Sequence, residues 1–178
     1  HFEALAALRP PLSFIEVHSE NYFADGGPAL AWLERFRADY AVSPHGVGMS
    51  LGSADPPDRG HLARLARLAG RIGPALVSEH LCWSSVGGVR LCELLPLPCT
   101  PEALDHVVAR VGRVQERLGR TIALENVSSY VAYRGSSMPE WEFLAEVSRR
   151  SGCGILLDIN NIYVSSKNHR FEPRAYLE

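Results

Sequence analysis

The stretch GILLDINNIYV, residues 154–164, begins as the apolar run of a buried strand and then changes to an acid and two amides, Asp158, Asn160 and Asn161. A carboxylate taken out of water without a partner is costly, so a strand that ends in Asp158 requires something to compensate the charge. Four other segments repeat the pattern: SFIEV (13–17), YAVSPHGVGM (40–49), ALVSEHLCW (75–83) and TIALENV (121–127). Each strand-like run, GILLDIN (154–160) included, ends in groups that bind protons or metals. In order these are Glu16, His18 and Glu20; His45; Glu79 and His80; Glu125 and Asn126; Asp158 and Asn160.

The five runs are continuous rather than alternating in polarity, which suits parallel strands covered on both faces. Amphipathic segments separate them. In DRGHLARLARLAGRIG (58–73) the apolar positions Leu62, Leu65, Leu68 and Ile72 recur every three or four residues. TPEALDHVVARVGRVQERLG (100–119) opens with Thr100 as N-cap and Pro101 in the first turn, and closes at Gly119. SMPEWEFLAEVSRRSG (137–152) carries Ser137 and Glu140 at capping-box spacing and ends near Gly152. The segment 84–99 breaks the rhythm, and its Val-Gly-Gly-Val centre predicts a small hairpin or loop excursion.

Alternating strands and helices make right-handed βαβ units and a parallel sheet, either an open doubly wound sheet or a (β/α) barrel. Strands lie about 4.8 Å apart, so five ends of a flat sheet would spread over roughly 20 Å. Barrel closure instead gathers the C-terminal strand ends around one mouth. The polar strand ends therefore favour a TIM (β/α) barrel. A complete one takes about 250 residues, so the 178 residues are expected to form a single partial barrel domain, 1–178, of about five strand–helix units. The chain begins in a helix-like HFEALAAL and stops at FEPRAYLE as another helix starts, which reads as a barrel lacking a first strand and the last ones.

Composition is that of an ordinary globular chain: 46% hydrophobic, 21% charged, net charge −2. No basic block or aromatic–basic interleaving points to nucleic acid. No apolar run approaches the ~20 residues of a membrane helix, and no signal peptide precedes the fold. Cys82, Cys92, Cys99 and Cys153 show no C-x-x-C spacing and read as buried or half-buried thiols of a reducing cytoplasm. A Cys92–Cys99 disulfide has no positive support.

His45, His80, Glu125 and Asp158 form the central constellation. Two imidazoles and two carboxylates without a thiolate suit iron, manganese or zinc, and carboxylates can bridge two ions. Glu20, Asn21, Asn126, Asn160 and His169 are weaker candidates, as further ligands or as groups that orient the ligands. His61 and His106 fall within helices and are expected to face solvent. His169, in SSKNHR, is expected on a loop beyond the fifth strand. Glycines 46, 48 and 52 of HGVGMSLG read as a tight turn, since SADPPDR separates them from the next helix and no helix N-terminus stands ready for a phosphate.

The segments FIEVHSENYF, SPHGVGMSLGS, SEHLCWS, LLPLPCT, LENVSSY and LLDINNIYVSSKNH resemble, in order and spacing, those of the multinuclear non-heme iron-dependent oxidative enzymes, which include the methanobactin-biosynthesis oxidase. The resemblance implies a xylose-isomerase-like TIM barrel with two or three iron ions at its mouth. It implies His45, His80, Glu125 and Asp158 as ligands, with Glu125 bridging. It also implies an oxidase or oxygenase that uses O2 to modify cysteine residues of a ribosomally synthesised precursor peptide, often presented by a partner protein that binds the peptide leader. LLPLPCT departs from the family, which usually has an aromatic residue at Cys99. Two other readings remain: a xylose-isomerase-like isomerase or phosphodiesterase using zinc, manganese or magnesium, and a non-catalytic truncated barrel.

Overall fold

Five short strands stand side by side, all parallel and in chain order, each separated from the next by helical chain. The computed structural model describes residues 2–177; His1 and Glu178, at the outer ends of the two terminal segments expected to be helical, lie outside the described residues. Helix α1 (Phe2–Leu8) leads into β1 (Phe14–His18), and α2 (Pro28–Asp39) into β2 (Ala41–Gly46). Then come α3 (Arg59–Ile72), β3 (Ser78–His80) and a hairpin of β4 (Trp83–Val86) and β5 (Val89–Leu95). The chain continues through α4 (Pro101–Leu118), β6 (Ala123–Glu125), α5 (Glu140–Ser151), β7 (Gly154–Leu156) and α6 (Ile159–His169). The final FEPRAYLE segment supplies a 3-10 turn, Pro173–Tyr176, in place of an α-helix start.

The sheet order is β1-β2-β3-β6-β7. A doubly wound sheet reverses its strand order at a switch point; this one runs in a single direction, as the strands of a barrel do. The sheet does not close, and β1 and β7 are its edges, so the architecture is α/β with the strand order of a partial TIM-like barrel.

Local chemistry accounts for most element ends. Asp58 caps α3 by accepting the His61 backbone N–H at 2.9 Å, and Thr100 caps α4 by accepting that of Ala103 at 3.2 Å. The predicted hairpin turns at Gly87–Gly88, both with positive φ (60° and 75°), as a two-residue type I′ turn demands. Helix α5 departs from expectation: Ser137 and Glu140 form no capping box, and the N-cap is Pro139 in extended conformation. Proline disfavours helical geometry in the residue before it, so the helix cannot begin at Ser137. The strand in GILLDIN is also shorter than expected. It stops at Leu156, and Asp158 caps α6 through a 2.7 Å bond from the Asn161 backbone N–H.

Register and alternation assign the two faces of the sheet. His18 pairs with His45, His45 with Ser78, and His80 with Glu125, so these side chains share one face. The other face carries Val42, Glu79 and Leu124, against which the helices pack. Leu65, Leu68 and Ile72 of α3, Val107 and Val111 of α4, and Phe143 and Val147 of α5 are all buried in that layer. Burying one such side chain is worth roughly 1.5–3 kcal/mol. The same apolar layer that holds the strands together leaves their opposite face polar. None of the described helices is long and apolar enough to cross a membrane.

Candidate metal centre

His45 at the end of β2, His80 at the end of β3 and Glu125 at the end of β6 converge on one point. His45 Nε2 lies 3.0 Å from Glu125 Oε2 and 3.4 Å from His80 Nε2, and His80 Nε2 lies 3.6 Å from the same carboxylate oxygen. All three residues are buried. The outer nitrogens of both rings are already engaged. His80 Nδ1 donates to the Gly46 carbonyl at 2.9 Å, and His45 Nδ1 hydrogen-bonds Ser78 Oγ at 2.8 Å. A carbonyl can only accept, so His80 carries its proton on Nδ1 and turns the Nε2 lone pair toward the centre, the arrangement of a metal-ligating histidine.

The electrostatics follow from burial and proximity. Burial lowers the His80 pKa below the ordinary value, helped by the neighbouring His45. Burial also lowers that of His45, but the hydrogen bond to Glu125 and the charges of Glu125, Glu16 and Glu79 outweigh it and raise the pKa. Burial pushes the Glu125 carboxyl up, yet its bonds to His45 and the charges of both rings hold it below the usual carboxylate range.

The fourth predicted residue, Asp158, sits beside this trio. It is not among the donors that lie within 4.8 Å of one another, which are those of His45, His80 and Glu125; it helps to hold the Glu125 carboxyl down, and its Oδ1 caps α6. Compensation for an acid at this strand end therefore begins with the helix N-terminus. Asn126 clamps the backbone there: its amide donates to Asp158 O at 3.0 Å and accepts from Asp158 N at 2.8 Å. Asn160 is exposed on α6. The amide that reaches the centre is Asn161, donating to Glu125 Oε1 at 3.1 Å and to Asn126 O at 2.9 Å. Adjacent amides on a helix point some 100° apart, which separates the two.

Asn21 is exposed in the 3-10 turn Ser19–Tyr22 that follows β1. His169, expected on a loop, is the last residue of α6, its Nε2 2.8 Å from Ser129 Oγ. It borders a cavity of about 240 Å³ lined by Leu81, Leu97, Tyr133, Trp141 and Phe171. Glu20 points elsewhere: its Oε1 accepts the backbone N–H groups of Val47 and Gly48 at 3.0 and 2.9 Å, and His61 Nε2 lies 3.5 Å away. His61 is thus buried, 2% exposed, and not solvent-facing, because it falls on the same face of α3 as Leu65 and Leu68. His106 is half-buried, bonded to Ser53 O at 2.8 Å. His18 brings a further imidazole near, its ring 6.2 Å from that of His45.

The glycines of HGVG do more than turn the chain. A Cβ at Gly46 would lie 2.3 Å from Glu79 Oε2, and one at Gly48 2.9 Å from His61 Cε1 and 3.2 Å from Glu20 Oε1. Their missing side chains let buried acids pack against the strand end. Burial pushes the Glu79 carboxyl up to about 8.

An open parallel sheet with two imidazoles and a carboxylate at its C-terminal strand ends defines a class: α/β chains with the strand order of a partial TIM-like barrel and a candidate metal centre at the strand ends. Within it, this chain belongs to the MbnB/TglH/ChrH family of RiPP precursor modification enzymes, whose family model matches residues 1–178. It is 58% identical over 177 residues to a UPF0276 protein of Anaeromyxobacter sp. (strain Fw109-5), covering 99% of the chain and 62% of that relative. A UPF0276 protein of Rhizorhabdus wittichii is 51% identical over 166 residues, 93% of the chain and 59% of the relative. One from Vibrio parahaemolyticus is 46% identical over 177 residues, 99% of the chain and 62% of the relative. The chain therefore spans less than two thirds of the length of these relatives.

Proposed function

We propose that the chain forms the ligand-bearing part of a multinuclear iron oxidase that uses O2 to modify cysteine residues of a ribosomally made precursor peptide, delivered by a leader-binding partner protein. The observation that carries this reading is the convergence of His45 Nε2, His80 Nε2 and Glu125 Oε2 within 3.6 Å of one another. The donor set fits the group. Two neutral imidazoles and a carboxylate suit a divalent iron, and no thiolate competes for it. On this reading Asp158, which influences Glu125, would hold a second ion.

His45, His80 and Glu125 would hold the iron, which would supply electrons for O2 and acidify a substrate thiol. The chain does the rest. Gly46 O and Ser78 Oγ fix the two rings, Asn161 orients Glu125, and Asn126 holds the β6–β7 strand ends in register. Burial of all three donors keeps water from competing for their lone pairs. The apolar cavity beside Leu81, the residue after His80, offers room for a peptide side chain.

Anaerobic loading with ferrous iron, metal analysis, and oxygen uptake on a cysteine-containing peptide test the reading. Iron retention that depends on His45 and His80, with peptide-dependent oxygen uptake, is expected. Tight zinc occupancy with phosphodiester hydrolysis would overturn it in favour of a hydrolytic barrel.

A further inference from the structure

On the helix-covered side of the same strand ends lies a second group of donors that the first centre does not use. Glu20 comes from the 3-10 turn after β1, His61 from the first turn of α3, and Glu79 from β3. One donor atom of each lies within 4.8 Å of the other two. Glu79 and His80 are consecutive in a strand and point to opposite faces, so the two groups of donors stand back to back across β3.

The pocket is closed on two sides and opens at the third: the His61 side chain is 3% exposed and that of Glu79 1%, while that of Glu20 is 25% exposed. Two of its polar atoms, His61 Nε2 and Glu20 Oε2, are buried with no hydrogen-bond partner among the described residues. His61 Nε2 is 3.5 Å from Glu20 Oε1 but out of line for a hydrogen bond. Buried side-chain polar atoms are nearly always partnered, and a specific exception calls for an occupant.

We propose that Glu20, His61 and Glu79 form a separate, largely buried binding site for one divalent first-row transition-metal ion. Two carboxylates match the double charge, and the imidazole favours manganese, iron or zinc over magnesium or calcium. Glu79 Oε2 is held only by a long 3.3 Å bond from the Met49 N–H, which leaves it able to close on the ion. Glu20 Oε1 accepts the Val47 and Gly48 N–H groups, which fixes the carboxylate and leaves Oε2 buried without a hydrogen bond. The backbone of Gly48 seals the pocket at a distance no side chain would allow. An ion there ties the turn after β1, the start of α3 and β3 together directly behind His80.

Cobalt(II) is the probe, counted by elemental analysis and followed by its d–d absorption. A His45→Ala, Glu125→Gln variant of the chain, crippled in the first centre, is expected to retain one equivalent of cobalt. Adding Glu20→Gln is expected to weaken that binding at least tenfold. The amide oxygen of glutamine still accepts the Val47 and Gly48 N–H groups, so the loop keeps its hydrogen bonds while losing the anionic ligand. In the otherwise unaltered chain, His61→Gln should remove one equivalent and leave the absorption of the ion at His45 and His80 in place. If the double variant holds no cobalt while folded by circular dichroism, or if Glu20→Gln and His61→Gln leave the stoichiometry unchanged, the cluster is a hydrogen-bonded pin and the proposal is wrong.

Discussion

Replacing Gly46 by alanine places a Cβ 2.3 Å from Glu79 Oε2, 3.0 Å from its Cδ and 3.5 Å from Ser78 O. Glu79 has little freedom to retreat, since it is 1% exposed and its two oxygens accept the N–H groups of His80 and Met49 at 3.0 and 3.3 Å. Overpacking of this kind costs about 1–3 kcal/mol. Moving the carboxyl also strips a buried N–H of its acceptor, for roughly another 1–3 kcal/mol. The expected loss, about 2–6 kcal/mol, is a large part of the 5–15 kcal/mol typical of a whole domain. The assay is urea unfolding of the metal-free chain at pH 7. Gly112→Ala is the control: it lies inside α4 with nothing within 4 Å of the added methyl, and should stabilise by about 0.8–1 kcal/mol. A cost below about 1 kcal/mol at Gly46 would refute the claim that this glycine is required by the acid behind it. A cost accompanied by weaker metal binding is expected as well, because the Gly46 carbonyl fixes the His80 ring.

Three further outcomes follow from the same geometry. Glu79, raised to about 8 by burial, stabilises the metal-free fold fully below the ordinary carboxylate pKa, and that contribution is lost as pH rises through 8. The stability difference between the chain and Glu79→Gln, measured by urea unfolding from pH 5 to 8, should therefore fall with pH by a few kcal/mol at most, of order 1.4 per unit; a flat difference contradicts the burial argument. Asp158→Asn keeps the acceptor that caps α6, so stability should shift by no more than about 0.5 kcal/mol while the iron content drops by one equivalent; unchanged iron would reduce Asp158 to a cap. Burial raises the thiol of Cys82 and pushes that of Cys99 up to about 12, and Cys153 is buried too, whereas Cys92 is exposed. A disulfide reagent should titrate one thiol rapidly in the folded chain and the remaining three only in denaturant.

The strand–helix rhythm was legible because each helix face is decided by a few apolar residues, and Thr100 and Gly119 punctuate the ends of α4 in the expected way. What misled was local competition. Pro139 displaces the start of α5 from Ser137, and an aspartate after Leu157 marks a helix N-cap as readily as a strand end. The burial of His61 has its signal in helical spacing: residues 61, 65, 68, 69 and 72 are the buried face of α3, and His61 stands four residues before Leu65. The trio His45, His80 and Glu125 was legible from strand ends alone, since register brings equivalent ends of neighbouring strands together. The choice of Asn160 over Asn161 was not, because it turns on the rotation of a helix whose start the sequence placed too late. Glu79 fell outside the trio for a parity reason, since alternate strand residues serve opposite faces, and Glu20 because it lies in the 3-10 turn after β1.

The unclosed sheet has a consequence for handling the molecule. β1 and β7 each present a rim of backbone donors and acceptors to which another strand can add, and Phe14 and Ile155 on those rims are 57% and 43% exposed. Self-association by strand addition thus competes with folding as concentration rises. Dilution, or charged residues grafted onto the two rims, will govern whether the chain can be studied as a single species.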